Sequence, residues 1–353
     1  MRELTREKFN KLQQAMMKTY GVSSTRNAFA VSEPIETRLN SAIQDASDFL
    51  QRITMLPVTD RKGQAVKIGI YSPLVKRTDV AANDRVATPM EDPTGLEYEC
   101  KLTEFDVSFS YDLLDAWARF DDFYDRYMQQ VYRRIALDRI MVGWHGTSVA
   151  TESDPDTNPE GQDINLGWIK LLIDNKPEHY LTESSDGTDE ITIGANGDYK
   201  NLDQITYDLY SMIDIAQRTG SEVAIVGRNL VAHDMGKALA KFAQQPTEKA
   251  QVMVLEKTYG GLPSIVVPGF QDTGLMITDT ENLSLYYQTG KTRRQMADYP
   301  KRNRVEDFIS SNDAYMIENL EGISALEADN VVLDPPLIEP GESLAKKDST
   351  TTG

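Results

Sequence analysis

Hydrophobic residues recur every three or four positions in two stretches near the start of the chain. In residues 1–20, Leu4, Leu12 and Met16 lie near one face with Ala15 and Lys8, which predicts an amphipathic helix ended by Gly21. The polar run VSSTRNA then predicts a linker. A second periodic stretch predicts one helix that opens at Ser32 and Pro34 and is ended by Pro57; its apolar positions are Ile35, Leu39, Ile43, Ala46, Leu50 and Ile53.

The period then changes to two, which is typical of half-buried strands. Apolar residues alternate with polar ones over residues 66–70 and again over residues 98–109. Residues 72–95 between them are almost wholly polar, and this connection is far longer than the ~2–5 residues of an ordinary hairpin loop. A two-stranded hairpin without a covering helix is marginally stable alone. We therefore expect it to pack on a neighbouring molecule.

A long helical pattern follows over residues 111–142, which contain neither glycine nor proline. Ser110 is positioned as its N-cap, and Gly143 and Gly146 follow its end. An uninterrupted helix of this length would measure about 48 Å at ~1.5 Å per residue. The pattern of the remaining chain predicts an α+β domain. Its predicted helices cover residues 202–217 and 229–242, and its predicted strands lie near 223–226, 251–255, 264–267, 275–278 and 283–287. A strand-like region follows, and the chain ends in a Pro/Ser/Thr-rich tail at 336–353 that we expect to be disordered.

Charge is unevenly distributed along the 353 residues. The formal net charge is -18, and residues 151–200 hold 12 Asp/Glu against 3 Lys/Arg, whereas residues 1–30 hold 6 Lys/Arg against 2 Asp/Glu and so carry +4. An acidic body argues against a general nucleic-acid-binding protein, because it repels phosphates outside local patches. The single Cys100 and three scattered histidines give no zinc-binding pattern. No stretch approaches the ~20 apolar residues of a membrane span, and residues 1–21 lack the continuous apolar core expected of a secretory signal.

The residues offer no clear catalytic motif. Gly290, Lys291 and Thr292 spell the GKT of a phosphate-binding loop, but that motif requires a glycine at position 285, which is Leu. Asp154, Asp156 and Asn158 have the alternate spacing of a calcium loop, whose required Gly and Glu are replaced by Pro and Asn. His145, His179 and His233 lack recognisable partners. We predict neither a cofactor nor a metal site.

A basic block stands out against the acidic chain in residues 288–304. It contains a single acid, Asp298, among six cations: Lys291, Arg293, Arg294, Lys301, Arg302 and Arg304. Three interpretations are open: a nucleotide loop, a nucleic-acid patch, and a surface that meets an acidic copy of the same protein. The failed GKT motif disfavours the first.

Three strings carry a resemblance to a known family. They are LLDAWARFDDFYDRYMQQVYRRIALDRIMVGWHG, GGLPSIVVPGF and TRRQMADYPKRNRVEDFISSNDAYMIENLEG, in this order along the chain. Together they resemble the major capsid proteins of peduovirus-type temperate tailed phages. The resemblance implies the α+β Hong Kong 97 capsid fold, also called the Johnson fold, and a structural protein rather than an enzyme. None of the strings is an enzymatic signature, so the specificity comes from their number and order.

The resemblance also implies a division of the chain. The expected parts are a cleaved N-terminal segment (1–30), an N-arm (31–57), an extended E-loop hairpin (58–108), a peripheral domain (109–164 and 291–335), an axial domain (165–290) and the tail (336–353). The implied partners are further copies in pentamers and hexamers, a scaffold and prohead protease, portal and head-completion proteins, and packaged double-stranded DNA in weak contact. The implied location is the virion, after assembly in the cytoplasm of a bacterial host. The lysine, asparagine and glutamate of the covalent cross-link known in some relatives cannot be placed in this sequence.

Two site predictions follow. We expect the basic block to lie at an interface between copies, with contact to DNA as the alternative, and we expect proteolysis between Ala30 and Val31, in an extended and accessible segment. Removing residues 1–30 would change the formal charge from -18 to -22. Two other functions stay open at this point: an encapsulin-like nanocompartment shell, and an acid-dependent hydrolase that uses paired carboxylates.

Overall fold

The computed structural model describes residues 2–64, 77–78, 84–86, 96–120, 122–184, 187–242 and 258–336. Its helices are α1 (Glu3–Tyr20), α2 (Glu33–Asp45), α3 (Asp48–Arg52), α4 (Tyr111–Trp117), α5 (Phe123–His145), α6 (Trp168–Asn175), α7 (Leu202–Met212) and α8 (Arg228–Phe242). The predicted strands at 66–70 and 251–255, most of the connection at 72–95 and nearly all of the tail lie outside the described residues.

The strands in chain order are β1 (Phe29–Ala30), β2 (Thr54–Val58), β3 (Lys62–Gln64), β4 (Glu97–Glu99), β5 (Lys101–Ser110), β6 (Tyr180–Leu181), β7 (Ile191–Gly194), β8 (Val223–Val226), β9 (Thr258–Tyr259), β10 (Leu262–Ile265), β11 (Leu275–Thr278), β12 (Leu283–Gln288), β13 (Arg293–Tyr299), β14 (Arg304–Ile317), β15 (Ile323–Leu326) and β16 (Val331–Asp334). Helices and strands are mixed along the chain, as expected of an α+β protein.

The chain forms two compact units. Unit 1 comprises residues 1–171 and 280–319, and unit 2 comprises residues 172–279 and 320–353. The chain passes from unit 1 to unit 2 for the last time after residue 319, whereas the expected second part of the peripheral domain extends to 335. The reason is that β15 pairs with β11 and β16 pairs with β7, and all four strands belong to unit 2. The names peripheral and axial domain stay predictions.

Unit 1 is built on a six-stranded sheet in the order β1-β13-β14-β12-β2, with β5 also paired to β14. The 14-residue β14 is long enough to pair with β13 through its first half and with β12 through its second half. Helix α5 packs over this sheet, and a cluster of aromatic rings from Phe49, Trp144, Trp168 and Tyr315 fills the space between them.

Unit 2 holds a second six-stranded sheet, in the order β6-β15-β11-β8-β10-β9. Its core packs α7 against the sheet through fully buried aliphatic residues, among them Ile205, Leu209, Ala224 and Ile277. The predicted strands at 223–226 and 275–278 are confirmed at those bounds. The predicted helix at 202–217 ends earlier, at Met212, and a short 3₁₀ turn follows.

Local sequence signals at two helix ends are confirmed. Gly21 adopts φ 66° directly after α1 and its N–H bonds to the carbonyl of Met17, which is the left-handed C-cap that glycine favours. The Ser110 hydroxyl accepts a hydrogen bond from the N–H of Leu113 and caps α4.

Two predicted long helices are interrupted. The helix predicted to reach Pro57 is divided into α2 and α3, and Pro57 lies in β2, an edge strand that tolerates proline. The helix predicted over residues 111–142 is divided into α4 and α5, with the break before Asp122. Adjacent aspartates at 121 and 122 are poor helix-interior residues and favour helix starts. The 23 residues of α5 therefore span about 35 Å.

The prediction that the hairpin strands have nothing to pack on in their own chain is wrong for the second strand. Residues 101–110 form β5, which pairs with ten residues of β14 in the same chain and buries Phe105 and Phe109. The part of the predicted E-loop that leaves this sheet therefore begins at β3 and ends at β4, whose register pairs Gly63 with Tyr98.

Candidate assembly surface

The basic block lies on β13, the following 3₁₀ turn and the start of β14. Lys291, Arg293, Lys301 and Arg302 are exposed, and Arg304 is half-buried and pairs with Glu306 at 2.5 Å. Arg294 is only 1% exposed, so it does not belong to a surface patch as the sequence suggested. Side chains alternate along a strand, which is why consecutive arginines at 293 and 294 have opposite environments.

The four exposed cations do not form one patch. Lys291 and Arg293 lie at the start of β13, and Lys301 and Arg302 lie in the turn after its end. Seven strand residues at ~3.3 Å each separate the two pairs by roughly 20 Å. At this separation, which exceeds the ~8 Å Debye length at physiological salt, the pairs act as two independent basic sites.

Arg294 is the centre of a buried polar cluster. Its guanidinium donates to the Asp307 carboxylate at 2.6 and 3.1 Å and to the Tyr20 hydroxyl at 2.6 Å. The Tyr127 hydroxyl also donates to Asp307. Burial acts to lower the pKa of Arg294, but the charge and hydrogen bonds of Asp307, together with Tyr20 and Tyr127, outweigh it and the pKa lies well above its ordinary value. The arginine therefore stays charged and connects α1, α5, β13 and β14.

A second buried ion pair connects α5 to β14 and α2. Arg139 donates to Asp313 at 2.9 Å and to the Asn40 side chain at 2.9 Å, and the Arg139 and Asp313 side chains are 2% and 1% exposed. The Tyr315 hydroxyl donates to the Arg139 carbonyl at 2.8 Å. The orientation of the arm helix α2 is thus fixed by hydrogen bonds as well as by apolar packing.

The donors of the GKT loop are occupied by a carboxylate of the chain itself. The buried Glu36 side chain accepts hydrogen bonds from the N–H of Gly290 at 2.6 Å, from the N–H of Thr292 at 3.1 Å and from the Thr292 hydroxyl. Gly290 has φ 71°, a conformation that glycine adopts without strain. The loop therefore binds the start of α2 to the sheet.

The N-terminal segment, residues 1–30, packs on unit 1 and is not isolated by its linker. Helix α1 buries Phe9, Leu12, Met16 and Tyr20. Its Arg6 forms an ion pair with Asp298 at 2.6 Å, although the exposed arginine makes this a weak contribution.

The predicted cleavage bond lies at the end of a short edge strand. Ala30 is exposed and pairs with Arg293, but Val31 is 2% exposed and its N–H donates to the Thr292 carbonyl at 2.9 Å. The segment is extended, as expected, but it is not accessible on the Val31 side. A protease that requires an extended substrate strand could engage it only after β1 leaves β13.

The hairpin base is held by charge and by stacked rings. Glu99 contacts Lys62 at 2.9 Å and Lys101 at 2.8 Å, and hydrogen bonds from these two lysines lower the pKa of Glu99 to about 2. The Tyr98 ring lies edge-on to Tyr286 at 5.2 Å. Burial raises the pKa of the neighbouring Cys100 thiol to about 12, which makes it unreactive. A cavity of about 530 Å³ adjoins this base.

The acidic loop after α5 is held by its own hydrogen bonds. The Asp154 carboxylate accepts from the N–H of Asp156 at 3.1 Å and from the Thr157 hydroxyl at 2.7 Å, while Asp163 accepts from the N–H of Asp154 at 2.8 Å. Within the described ranges, no group of three or more His, Cys, Asp or Glu side chains is arranged to hold a metal ion. No helix in the described part of the chain has the length and apolarity to cross a bilayer.

The histidines have partners that the sequence did not reveal. His145 Nδ1 lies 3.4 Å from the Glu160 carboxylate, and His179 Nδ1 lies 2.8 Å from the Ile323 carbonyl. Each is held at the end of a helical segment, as expected of structural histidines.

Sequence reasoning did not identify four of the residues that organise this surface: Glu36, Arg139, Asp307 and Asp313. Arg139 and Glu36 did leave a signal, because each adjoins an apolar residue of a helical stripe, Ile140 and Ile35 respectively. The two aspartates on β14, Asp307 and Asp313, left no such signal, because side chains along β14 lie in environments that a single sequence does not distinguish.

The geometry defines a class of protein before any relative is considered. Each of the two units is an α+β structure built on a six-stranded sheet, the base of a hairpin (β3 and β4) belongs to unit 1, and the polar clusters of unit 1 anchor its helices to its strands. The fold is that of the Hong Kong 97-type capsid proteins.

Comparisons with known proteins agree with this class. The family model of the phage major capsid protein, P2 family, matches residues 8–328. The capsid protein of Escherichia phage P2 is 32% identical over 331 residues, 90% of this chain and 92% of the relative, and the major capsid protein of Serratia phage KSP20 is 29% identical over 338 residues, 93% and 97%. A chain of the satellite phage P4 procapsid superposes with a TM-score of 0.76 at 31% identity, covering 94% of this chain and 99% of that one. The chain belongs to the P2 family of phage major capsid proteins.

Proposed function

We propose that this protein self-assembles, as pentamers and hexamers, into the icosahedral head shell that encloses the double-stranded DNA of a temperate tailed phage. The observation that carries the proposal is the family match over residues 8–328, together with the likeness to a procapsid chain along nearly the whole length. Assembly takes place in the cytoplasm of the bacterial host, and the product is part of the virion.

The hairpin that begins at β3 and ends at β4 contacts a neighbouring copy. Among the described residues, its base is anchored in its own chain by the Glu99 ion pairs and the Tyr98–Tyr286 contact. Deleting residues 72–95 should leave a soluble subunit with unchanged helix content that forms no shells. Shells in electron micrographs of the deletion variant would refute this assignment.

The exposed cations of the basic block contact acidic surfaces of other copies, and packaged DNA is the alternative partner. Replacing Lys291, Arg293, Lys301 and Arg302 together by glutamine removes +4 without touching the buried Arg294. Failure of shell assembly supports the interface. Normal shells with a reduced DNA content would support the DNA contact instead.

Residues 1–30 are removed by a prohead protease during maturation, between Ala30 and Val31. Because Val31 is buried and β1 is paired, we expect the cut to follow detachment of β1 from β13. Intact mass spectrometry of subunits from DNA-filled heads decides the matter. A subunit that starts between residues 28 and 33 supports the proposal, and one that starts at Met1 contradicts it.

The other partners follow from the same role. A closed head that fills with DNA requires a scaffold and protease inside, a portal at one vertex and head-completion proteins. The acidic body of the subunit, at -22 after processing, repels DNA outside its basic sites, so packaged DNA makes weak contacts. Unit 2 corresponds to the axial domain, and unit 1 to the peripheral domain with the arm.

A further inference from the structure

The outer edge of β13 is occupied by the chain's own N-terminal segment. Phe29 pairs with Arg294, Ala30 pairs with Arg293, and the N–H of Met296 donates to the Thr25 carbonyl at 2.9 Å. Peptide groups of alternate residues point to the same side of a strand, so residues 294 and 296 face this edge while the other edge pairs with β14. When residues 1–30 leave, the edge loses this partner at residues 293–296, and Val31 stays beside Thr292.

The same segment also covers the side of the sheet next to that edge. The Tyr20 hydroxyl accepts from Arg294 at 2.6 Å, and the Tyr20 ring packs against Phe29 with centroids 5.4 Å apart. Helix α1 adds the buried Phe9, Leu12 and Met16. Departure of the segment therefore exposes a hydrogen-bonding edge, an arginine and apolar surface together, and exposed edges of this kind pair readily with another strand.

A second edge of the same sheet has the opposite charge. Within the described residues β5 pairs only with β14, so its other side is open. Glu104 and Asp106 are exposed along it. Burial raises the pKa of Asp106, and the neighbouring charges of Glu104, Asp307 and Glu306 raise it further. This edge therefore carries negative charge that lacks compensation from its surroundings.

The charges of the two edges are complementary. Lys291 and Arg293 are exposed at the start of β13, and the rest of the molecule is strongly acidic. A contact between two different patches of identical subunits is heterologous, and repeated heterologous contacts close into rings when the rotation between copies closes. Pentamers and hexamers are rings in which such a contact can repeat from copy to copy.

We propose that the β13 edge receives the β5 edge of a neighbouring copy once residues 1–30 have left, and that these residues keep the edge closed until then. The inference rests on the proposed function, because it requires both shell assembly and processing. It adds the identity of the partner surface, Glu104 and Asp106 of the next copy, and a role for the N-terminal segment as a cover.

Charge reversal tests the partner surface. Arg293→Glu and the double variant Glu104→Lys with Asp106→Lys are produced in bacteria that carry the phage's other head genes, first as separate variants and then combined in one chain. We expect each separate variant to give fewer than one-tenth of the wild-type number of mature shells. The combined variant should restore at least half, because every reversed β13 edge then meets a reversed β5 edge of the next copy, in five-membered and six-membered rings alike.

The controls separate this inference from the proposed function. Lys200→Glu, an exposed reversal in unit 2, should assemble as wild type. If wild-type chains form no shells, the proposed function fails. If wild-type shells form and the two reversed variants also assemble alone, or if combining the reversals in one chain restores nothing, the strand pairing is wrong while the shell function stands.

A reversible lock tests the cover. Ala30 and Arg293 are opposite each other, and they form a non-hydrogen-bonded pair because the adjacent Val31 and Thr292 are hydrogen-bonded. The Cα atoms of such pairs are ~4.5 Å apart, which suits a disulfide. Particles with Ala30→Cys and Arg293→Cys should mature at least tenfold less when oxidised. Reductant should restore them to the level of the same double variant kept reduced throughout, and equal maturation of locked and reduced particles would overturn the proposal.

Discussion

Replacing Arg294 by methionine should destabilise unit 1 far more than its position in a basic block suggests. Methionine keeps much of the length and apolar volume of the arginine stem but removes the guanidinium. Asp307 would then remain in a site where both partners' side chains are 0% exposed, with the Tyr127 hydroxyl as its remaining hydrogen-bond donor from a side chain. The Tyr20 hydroxyl would also lose its donor.

The expected size follows from these contacts. Removing one partner of a buried ion pair costs about 3–5 kcal/mol, because the other charge is left without compensation. A unit of this size shifts its Tm by ~2–4 °C per kcal/mol, so unfolding should begin about 10 °C lower. Adding Asp307→Asn removes the second charge and keeps an acceptor for Tyr127. The double variant should therefore recover at least half of the loss.

Urea unfolding of the full-length chain, followed by tryptophan fluorescence, measures the effect. Arg293→Met is the matched control, because it is the same change one residue earlier on an exposed side chain and should stay within ~0.5 kcal/mol of wild type. Equal unfolding midpoints for Arg294→Met and Arg293→Met would refute the assignment of Arg294 as an interior anchor.

Three further substitutions test other anchors. Glu36→Gln should lower the free energy of unfolding by about 1–3 kcal/mol in chemical denaturation, because an amide cannot accept all the hydrogen bonds of the carboxylate. The control Glu33→Gln, on an exposed side chain, should change it by under ~0.5 kcal/mol, and equal losses for the two variants would contradict the prediction. Gly143→Ala should cost about 1–3 kcal/mol and shift the tryptophan emission, because a Cβ would lie 2.3 Å from the Trp168 ring; an unchanged spectrum and midpoint would count against that packing. The difference in unfolding free energy between wild type and Glu99→Gln should be constant above about pH 5 and decline toward pH 2. The reason is that the folded pKa of Glu99, about 2, lies below the unfolded value of ~4.3. A pH-independent difference would exclude the ion pairs as its cause.

Signals that depend on neighbouring residues were readable from the sequence. Gly21 ends α1 and Ser110 caps α4 because each acts on backbone groups within four residues. The resemblance gave the fold class and the family, both of which are confirmed. The missing glycine argued against a phosphate loop at the GKT sequence, and in the structure Glu36 accepts the hydrogen bonds of the Gly290 and Thr292 N–H groups.

Signals that depend on distant partners were not readable. Arg293 and Arg294 are the same residue type at adjacent positions, so the sequence does not distinguish them. Arg294 is interior because its side chain faces the side of the sheet that Tyr20, 274 residues away, covers, whereas Arg293 faces the other side and is exposed. The break before α5 was missed because apolar spacing continues across residues 118–122. The predicted lack of cover for the strand at residues 98–109 was wrong for a related reason, since its partner β14 lies about 200 residues later in the chain.

The central claim is that this chain builds a closed shell, and electron microscopy of the purified full-length protein after assembly tests it most directly. The account predicts closed, angular particles of uniform size whose subunits form five- and six-membered rings. A protein that stays dispersed as monomers at high concentration, with folded-state circular dichroism and no closed particles, would contradict it.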